Sequence, residues 1–311
     1  MRRVLVTGAR GFLGAHCIGP LIDKGFEVHV ASRSGAAAVS GATCHGVDLM
    51  DAAAVRSLMA NVRPTHLLHL AWETEPGKFW NSARNTDWTT ASLDLFKSFA
   101  DHGGRRFVGA GSCAEYDWSY QLLDDVTTPC TPASKYGQAK NATRELLAGL
   151  SRSSGVSFAW GRVFFLYGPC EKRGRLVSDV VVSLLQELPV ATSDGRQIRD
   201  YMYVVDVAAA FAALLDSAIE GAVNIASGEP RTVKDILSAI GRATGRTDLI
   251  GFGERPVPEG EPLRLEASVK RLFNDVGFCP SYSLDQGVQA TVDWWRKALA
   301  GSGRAGNQIN R

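Results

Sequence analysis

The run Thr7-Gly8-Ala9-Arg10-Gly11-Phe12-Leu13-Gly14 follows directly on the apolar stretch Val4-Leu5-Val6 and leads into a helical pattern over Ala15–Lys24. Three glycines at this spacing, between a short apolar strand and the start of a helix, leave few options. Gly8 and Gly11 permit a tight turn and let a phosphate approach backbone N–H groups, while Gly14 lets helix and strand pack closely. Such a chain is expected to open a βαβ unit with a dinucleotide pyrophosphate at the helix N-terminus. Gly8, Arg10, Gly11, Phe12, Leu13 and Gly14 would line that site.

The alternation continues beyond the turn. Glu27–Ala31, Thr65–Ala71, Arg106–Ala110 and Ser157–Phe165 read as strands, and Ala52–Met59, Thr90–Asp101 and Pro132–Arg152 read as helices. This pattern predicts an α/β protein, a Rossmann-type doubly wound parallel sheet with a smaller C-terminal substrate-binding lobe. Thr131 is expected to cap the third of these helices, with Pro132 in its first turn. After Pro169 the loops lengthen, as in Cys170–Arg175 and Gly251–Pro262, between helical patterns at Leu176–Glu187, Val233–Thr244 and Leu284–Leu299. The expected organisation is a dinucleotide domain over residues 1–169, to which 200–215 return. A substrate lobe over 170–299 and a small, polar, disordered tail over 300–311 complete it.

Composition excludes several classes. A net charge of +2 over 311 residues predicts neither nucleic acid nor an anionic membrane as partner. No apolar run approaches the ~18 residues needed to span a bilayer. Glycines stand where a signal peptide would be apolar, so cytoplasmic residence is expected. The six cysteines are scattered without a Cys-x-x-Cys pair, so neither a disulfide framework nor a metal is expected.

Two further features carry chemistry. The second strand runs into Ser32-Arg33 with no carboxylate to meet a ribose 2′-hydroxyl, and Arg33, helped by Arg10 and Ser32, suits a 2′-phosphate. NADP(H) is therefore expected ahead of NAD(H). Tyr136 and Lys140 stand four apart, one turn of a helix. A free phenol ionises near pH ~10. An adjacent ammonium favours the phenolate, so Lys140 is expected to lower the Tyr136 pKa and make a proton donor or acceptor useful near neutrality.

Together these residues resemble the extended short-chain dehydrogenase/reductase family, the branch of nucleotide-sugar epimerases, dehydratases and ketoreductases. The likeness runs from residue 4 to about 299. It implies that Asp48-Leu49 contacts adenine and that His69-Leu70-Ala71-Trp72, similar to the family's His-Leu-Ala-Ala, lies beside the cofactor. Asn85 would be structural or touch the cofactor, and Phe164 would lie in the strand and turn flanking the nicotinamide. Ser112, Tyr136 and Lys140 match the catalytic set. Arg199, in Arg199-Asp200-Tyr201, matches the arginine that grips a sugar-nucleotide diphosphate, with Arg175 and Arg255 as helpers. Phe165 stands where the family often has an Asn on that diphosphate, which leaves room for a small aldehyde or ketone substrate. The loop Trp72–Trp80 would cover the sugar. The resemblance also implies a homodimer in which Thr90–Asp101 and Pro132–Arg152 form a four-helix bundle.

The departures narrow the chemistry. Where 4,6-dehydratases carry Asp and Glu, this chain has Cys113 and Ala114, so dehydration is not expected. Cys113 is also one place early for a cysteine resembling that of the bifunctional epimerase-reductases. The expected activity is NADPH-dependent reduction of a nucleotide-linked 4-keto-6-deoxysugar, with Tyr136 as proton donor. The alternatives are an NAD-dependent nucleotide-sugar 4-epimerase and a non-catalytic dinucleotide-sensing regulator.

Overall fold

A computed structural model describes residues 2–33 and 39–302. The strands are β1 (Arg3–Thr7), β2 (Glu27–Ser32), β3 (Thr43–Gly46), β4 (His66–His69), β5 (Arg106–Ser112), β6 (Leu122–Leu123) and β7 (Ser157–Val163). They continue with β8 (Phe165–Tyr167), β9 (Val190–Thr192), β10 (Ile198–Tyr203), β11 (Gly221–Ile225), β12 (Pro230–Thr232), β13 (Ile250–Phe252) and β14 (Arg264–Ala267). The helices are α1 (Gly14–Asp23), α2 (Ala52–Val62), α3 (Arg84–Asp101), α4 (Lys135–Ser154), α5 (Leu176–Leu185), α6 (Val204–Asp216), α7 (Val233–Thr244) and α8 (Leu284–Ser302).

Seven strands form one parallel sheet in the order β11-β7-β5-β4-β1-β2-β3. Alternation along β1 sends Val4 and Val6 to one face and Leu5 to the other. The first face buries Cys17, Ile18 and Leu21 of α1 with Val207, Ala208 and Phe211 of α6. The second buries Val55 and Met59 of α2, Leu95 and Phe99 of α3 and Leu147 of α4. Helices on both faces of a parallel sheet are the doubly wound arrangement. The strand order reverses beside β1, so the crevice above its C-terminal end is where such a sheet takes a ligand.

A second sheet orders β12-β10-β14-β6, with β8 on β10, and β13 pairs β9. A third core cluster sits among α5, α7 and α8, including Val181, Ile240 and Val292. Helix α6 and strand β11 follow β10 in sequence yet join the large sheet.

Helix α4 begins later than expected. Ser134, not Thr131, is the cap, its hydroxyl accepting the Gly137 N–H at 3.1 Å. The Thr131 hydroxyl is drawn off to donate to Asp117 at 2.8 Å, which leaves Pro132 outside the helix. The expected tail falls mainly on residues 303–311, which lie outside the described residues. Among the described residues no helix is long and apolar enough to cross a membrane.

Candidate active site

Parallel strands in register bring distant loops to one edge. Gly8 follows β1, Ser32 ends β2, Asp48 follows β3, Leu70 follows β4, Ser112 ends β5 and Phe164 follows β7. At Gly8 the backbone turns with φ +73°, and a Cβ there would lie 2.7 Å from the Ala71 peptide nitrogen. A Cβ on Gly14 would lie 2.2 Å from the Gly8 carbonyl oxygen. The turn therefore closes onto β4 and α1 only because both positions lack side chains. No side chain caps the first turn of α1 at Leu13. The N-terminus of α1 and its dipole lie at this turn, so these residues fit a dinucleotide pyrophosphate.

The surrounding candidates differ in exposure. Arg10, Arg33 and Asp48 are exposed, Phe12, Leu13, Ser32, Leu70 and Trp72 are half-buried, and Leu49, Ala71 and Phe164 are buried. The Thr7 hydroxyl lies 2.7 Å from His69 Nδ1, and His69 Nε2 lies 2.9 Å from Ser92 Oγ, tying β1 to β4 and α3. Burial and the Lys140 charge hold His69 down to about 3, so its ring is neutral. Asn85 is enclosed: its amide donates to the carbonyls of Phe79 and Ser82 at 2.8 and 3.0 Å. Its oxygen accepts the Trp72 indole N–H at 2.9 Å. The structure places it as a brace for the 79–85 segment.

Ser112, Tyr136 and Lys140 come together beneath this edge. The Ser112 hydroxyl accepts the Ala114 peptide N–H at 3.2 Å, and the Ser112 side chain acts on the Tyr136 phenol to lower its pKa. Lys140 Nζ donates to the Ala110 carbonyl at 2.8 Å and lies 6.0 Å from the centre of the Tyr136 ring. Tyr136 is 7% and Lys140 4% exposed. Burial pulls Lys140 down to about 7, opposed by the charge of Glu115. Burial pushes the Tyr136 phenol above its ordinary value, while the Ser112 side chain and the Arg175 guanidinium lower it. The dominant effect on the phenol is desolvation, which outweighs the lowering that the sequence leads one to expect, and Arg175, brought from the start of α5, adds a cation that lowers it.

A buried polar network under this set was missed in the sequence. Glu115 Oε1 accepts the Ser112 peptide N–H at 2.8 Å and the Trp160 indole N–H at 2.9 Å. Its Oε2 accepts Arg162 Nε at 2.8 Å. Arg162 also donates to the Tyr116 hydroxyl at 2.9 Å, and that hydroxyl donates to Asn224 at 2.6 Å. The available signal was Arg162 itself, a charge in the apolar run Phe158–Phe165 of a central strand, which requires a buried partner. Cys113 is buried, its thiol pushed up to about 12 by burial, and Ala114 is buried beside Tyr136.

Aromatic rings wall the substrate side. Phe79 and Trp80 meet Tyr136 edge-on at 4.8 and 5.7 Å between centroids, and Trp118 meets Trp80 at 6.2 Å. A cavity of about 480 Å³ is lined by Trp80, Ala114, Tyr116, Trp118, Ser134 and Pro262, among others. Arg199 is 3% exposed, lies 5.4 Å from the centre of the Phe165 ring and donates to Glu261 at 2.5 Å. Arg175 donates to the Thr74 carbonyl at 3.2 Å and lies 5.5 Å from the Phe79 ring. Arg255 is exposed on the loop after β13, its peptide N–H on the Thr192 carbonyl. A shallower hollow of about 570 Å³, lined by Pro20, Asp23, Asp216 and Phe278, lies at the opposite end of α1.

The family model described as the NAD dependent epimerase/dehydratase family matches residues 4–226. The UDP-glucose 4-epimerase of Rhizobium leguminosarum bv. trifolii is 26% identical over 323 residues, covering 95% of this chain and 98% of its own. Among solved structures, the UDP-glucose 4-epimerase of Thermus thermophilus in complex with NAD is 28% identical with a TM-score of 0.83. The match covers 95% of this chain and 99% of that one. A putative epimerase from Burkholderia cenocepacia is 26% identical with a TM-score of 0.84, covering 95% and 98%.

Proposed function

The chain belongs to the NAD dependent epimerase/dehydratase family of extended short-chain dehydrogenases/reductases, and from that premise we propose that it inverts C4 of a nucleotide-linked sugar using NAD. The observation that carries this reading is the Ser112, Tyr136 and Lys140 set standing beside Cys113 and Ala114, where a 4,6-dehydratase would carry its extra acid and base. Cys113 and Ala114 are packed away, and the Glu115 carboxylate is locked against Arg162. Inversion through a 4-keto intermediate needs one oxygen to lose and regain one proton, a task we assign to Tyr136 with Ser112.

The ketoreductase expectation rested on Ser32-Arg33 as a 2′-phosphate site. Arg33 is one exposed side chain at the end of β2. The relatives named epimerases, one of them in complex with NAD, support NAD and an epimerase more strongly. Gly8, Gly11, Gly14 and the first turn of α1 would hold the pyrophosphate, with Lys140 toward the nicotinamide ribose. NAD held there would supply the hydride acceptor and donor that inversion at C4 requires.

Tyr136, as the phenolate, would take the proton of the sugar 4-hydroxyl and, as the phenol, give it back, while Ser112 hydrogen-bonds the same oxygen. Desolvation favours the protonated phenol and the Arg175 charge favours the phenolate. Arg199, Arg175 and Phe165 are assigned to the substrate, whose sugar would occupy the aromatic-walled cavity. We also assign a homodimer through α3 and α4. The test is incubation of the purified protein with UDP-glucose and other nucleotide sugars, following C4 configuration by NMR. Inversion without net cofactor consumption is expected, and stoichiometric oxidation of NADPH by a 4-keto sugar would overturn it.

A further inference from the structure

Trp72 occupies the place of the second alanine in the His-Leu-Ala-Ala stretch, and its ring faces the buried ammonium of Lys140. Nζ lies 3.8 Å from the indole centre, against 5.7 Å for Trp160 and 6.0 Å for Tyr136. We propose that Trp72 is a positioning residue that holds the Lys140 ammonium against its ring face, with Asn85 fixing the ring. The proposal rests on the role given to Lys140 above.

Lysine has a flexible four-carbon stem and three N–H donors. The Ala110 carbonyl takes one at 2.8 Å. The charged and titratable groups facing Lys140 from packed elements are Glu115 after β5, His69 of β4 and Tyr136 of α4 itself. His69 is neutral, and Glu115 accepts from Arg162, Trp160 and the Ser112 peptide. The nearest attraction left to the ammonium is the negative face of an aromatic ring, and such contacts strengthen when desolvated.

The ring is itself held. Its Nε1–H donates to Asn85 Oδ1 at 2.9 Å, and Asn85 is fixed by the Phe79 and Ser82 carbonyls. Trp88 stacks on it at 6.2 Å and 27°, and it meets the Tyr136 ring edge-on at 6.4 Å. One indole thus touches both the lysine and the tyrosine of the proton-transfer set.

The test replaces Trp72 with tryptophans carrying successively more ring fluorines, which weaken the ring's negative face at nearly constant shape. Two titrations are read: the ionisation of Lys140, from the pH dependence of its labelled Cε NMR signal, and the pH–rate profile. The Lys140 midpoint is expected to fall stepwise with fluorination, by about one unit in all, a tenfold change in the charged-to-neutral ratio. Trp72→Leu should lower it in the same direction and Trp72→Phe should restore part of the shift. A midpoint constant across the fluorinated series overturns the proposal, whatever the activity. A midpoint that moves while the rate profile does not supports the clamp and shows that the Lys140 charge does not govern the rate.

Discussion

Glu115→Ala tests whether the buried ion pair holds the site together. The Glu115 side chain is 0% and that of Arg162 3% exposed. Truncation strands the guanidinium and removes the acceptor of the Ser112 peptide and the Trp160 indole N–H groups. Removing one partner of a buried pair costs about 3–5 kcal/mol. Each buried donor left unpaired adds about 1–3 kcal/mol. Arg162 keeps the Tyr116 hydroxyl at 2.9 Å and Cys130 Sγ at 2.9 Å, which offsets part of the loss. A net cost of about 4 kcal/mol is expected, a large share of the ~5–15 kcal/mol that stabilises a typical domain. The assay is urea unfolding in a double-mutant cycle with Arg162→Met, which replaces the cation with an apolar chain. The double variant should be clearly less destabilised than the sum of the singles, because the stranded charge is gone. Glu115→Gln should fall between, since it still offers an acceptor to Ser112. A Glu115→Ala cost below about 1 kcal/mol, or additivity within about 0.5 kcal/mol, would refute the reasoning.

Tyr136→Phe should lower kcat by about 10²–10⁴-fold with little change in cofactor affinity by calorimetry, and an unchanged kcat would exclude it as the proton carrier. Burial raises Glu171 from an ordinary 4.5 to about 7. The folded state therefore binds the extra proton between those values, and wild-type stability falls as pH rises through that window. Glu171→Gln should gain stability relative to wild type between about pH 5 and about pH 8, and urea midpoints that differ equally at both pH values count against it. Ser134→Ala should cost about 1 kcal/mol through loss of the α4 cap. Thr131→Ala should cost less, and the reverse order in thermal unfolding would put the cap at Thr131.

What the sequence made legible was local. The glycine turn is read within eight residues, and the Tyr136–Lys140 spacing within one helical turn. The Ser134 cap failed to show because Ser134 and Thr131 both offer a hydroxyl, and the choice is made by Asp117 drawing off Thr131. Glu115 and Arg162 meet because β5 and β7 pair with Gly111 opposite Arg162, a register that no local pattern states. The same limit applies to β11, which closes the large sheet beside β7 after the chain has crossed into the second sheet. It reaches the chemistry too. On a solvated helix Lys140 would titrate near its ordinary 10.5, whereas in the fold burial takes it to about 7. Spacing thus puts the tyrosine and lysine on one helix face, while burial first, and then Glu115 and Arg175 from other segments, shifts them from their ordinary values. A helix bearing only the tyrosine and lysine would present the motif without the desolvation that tunes it.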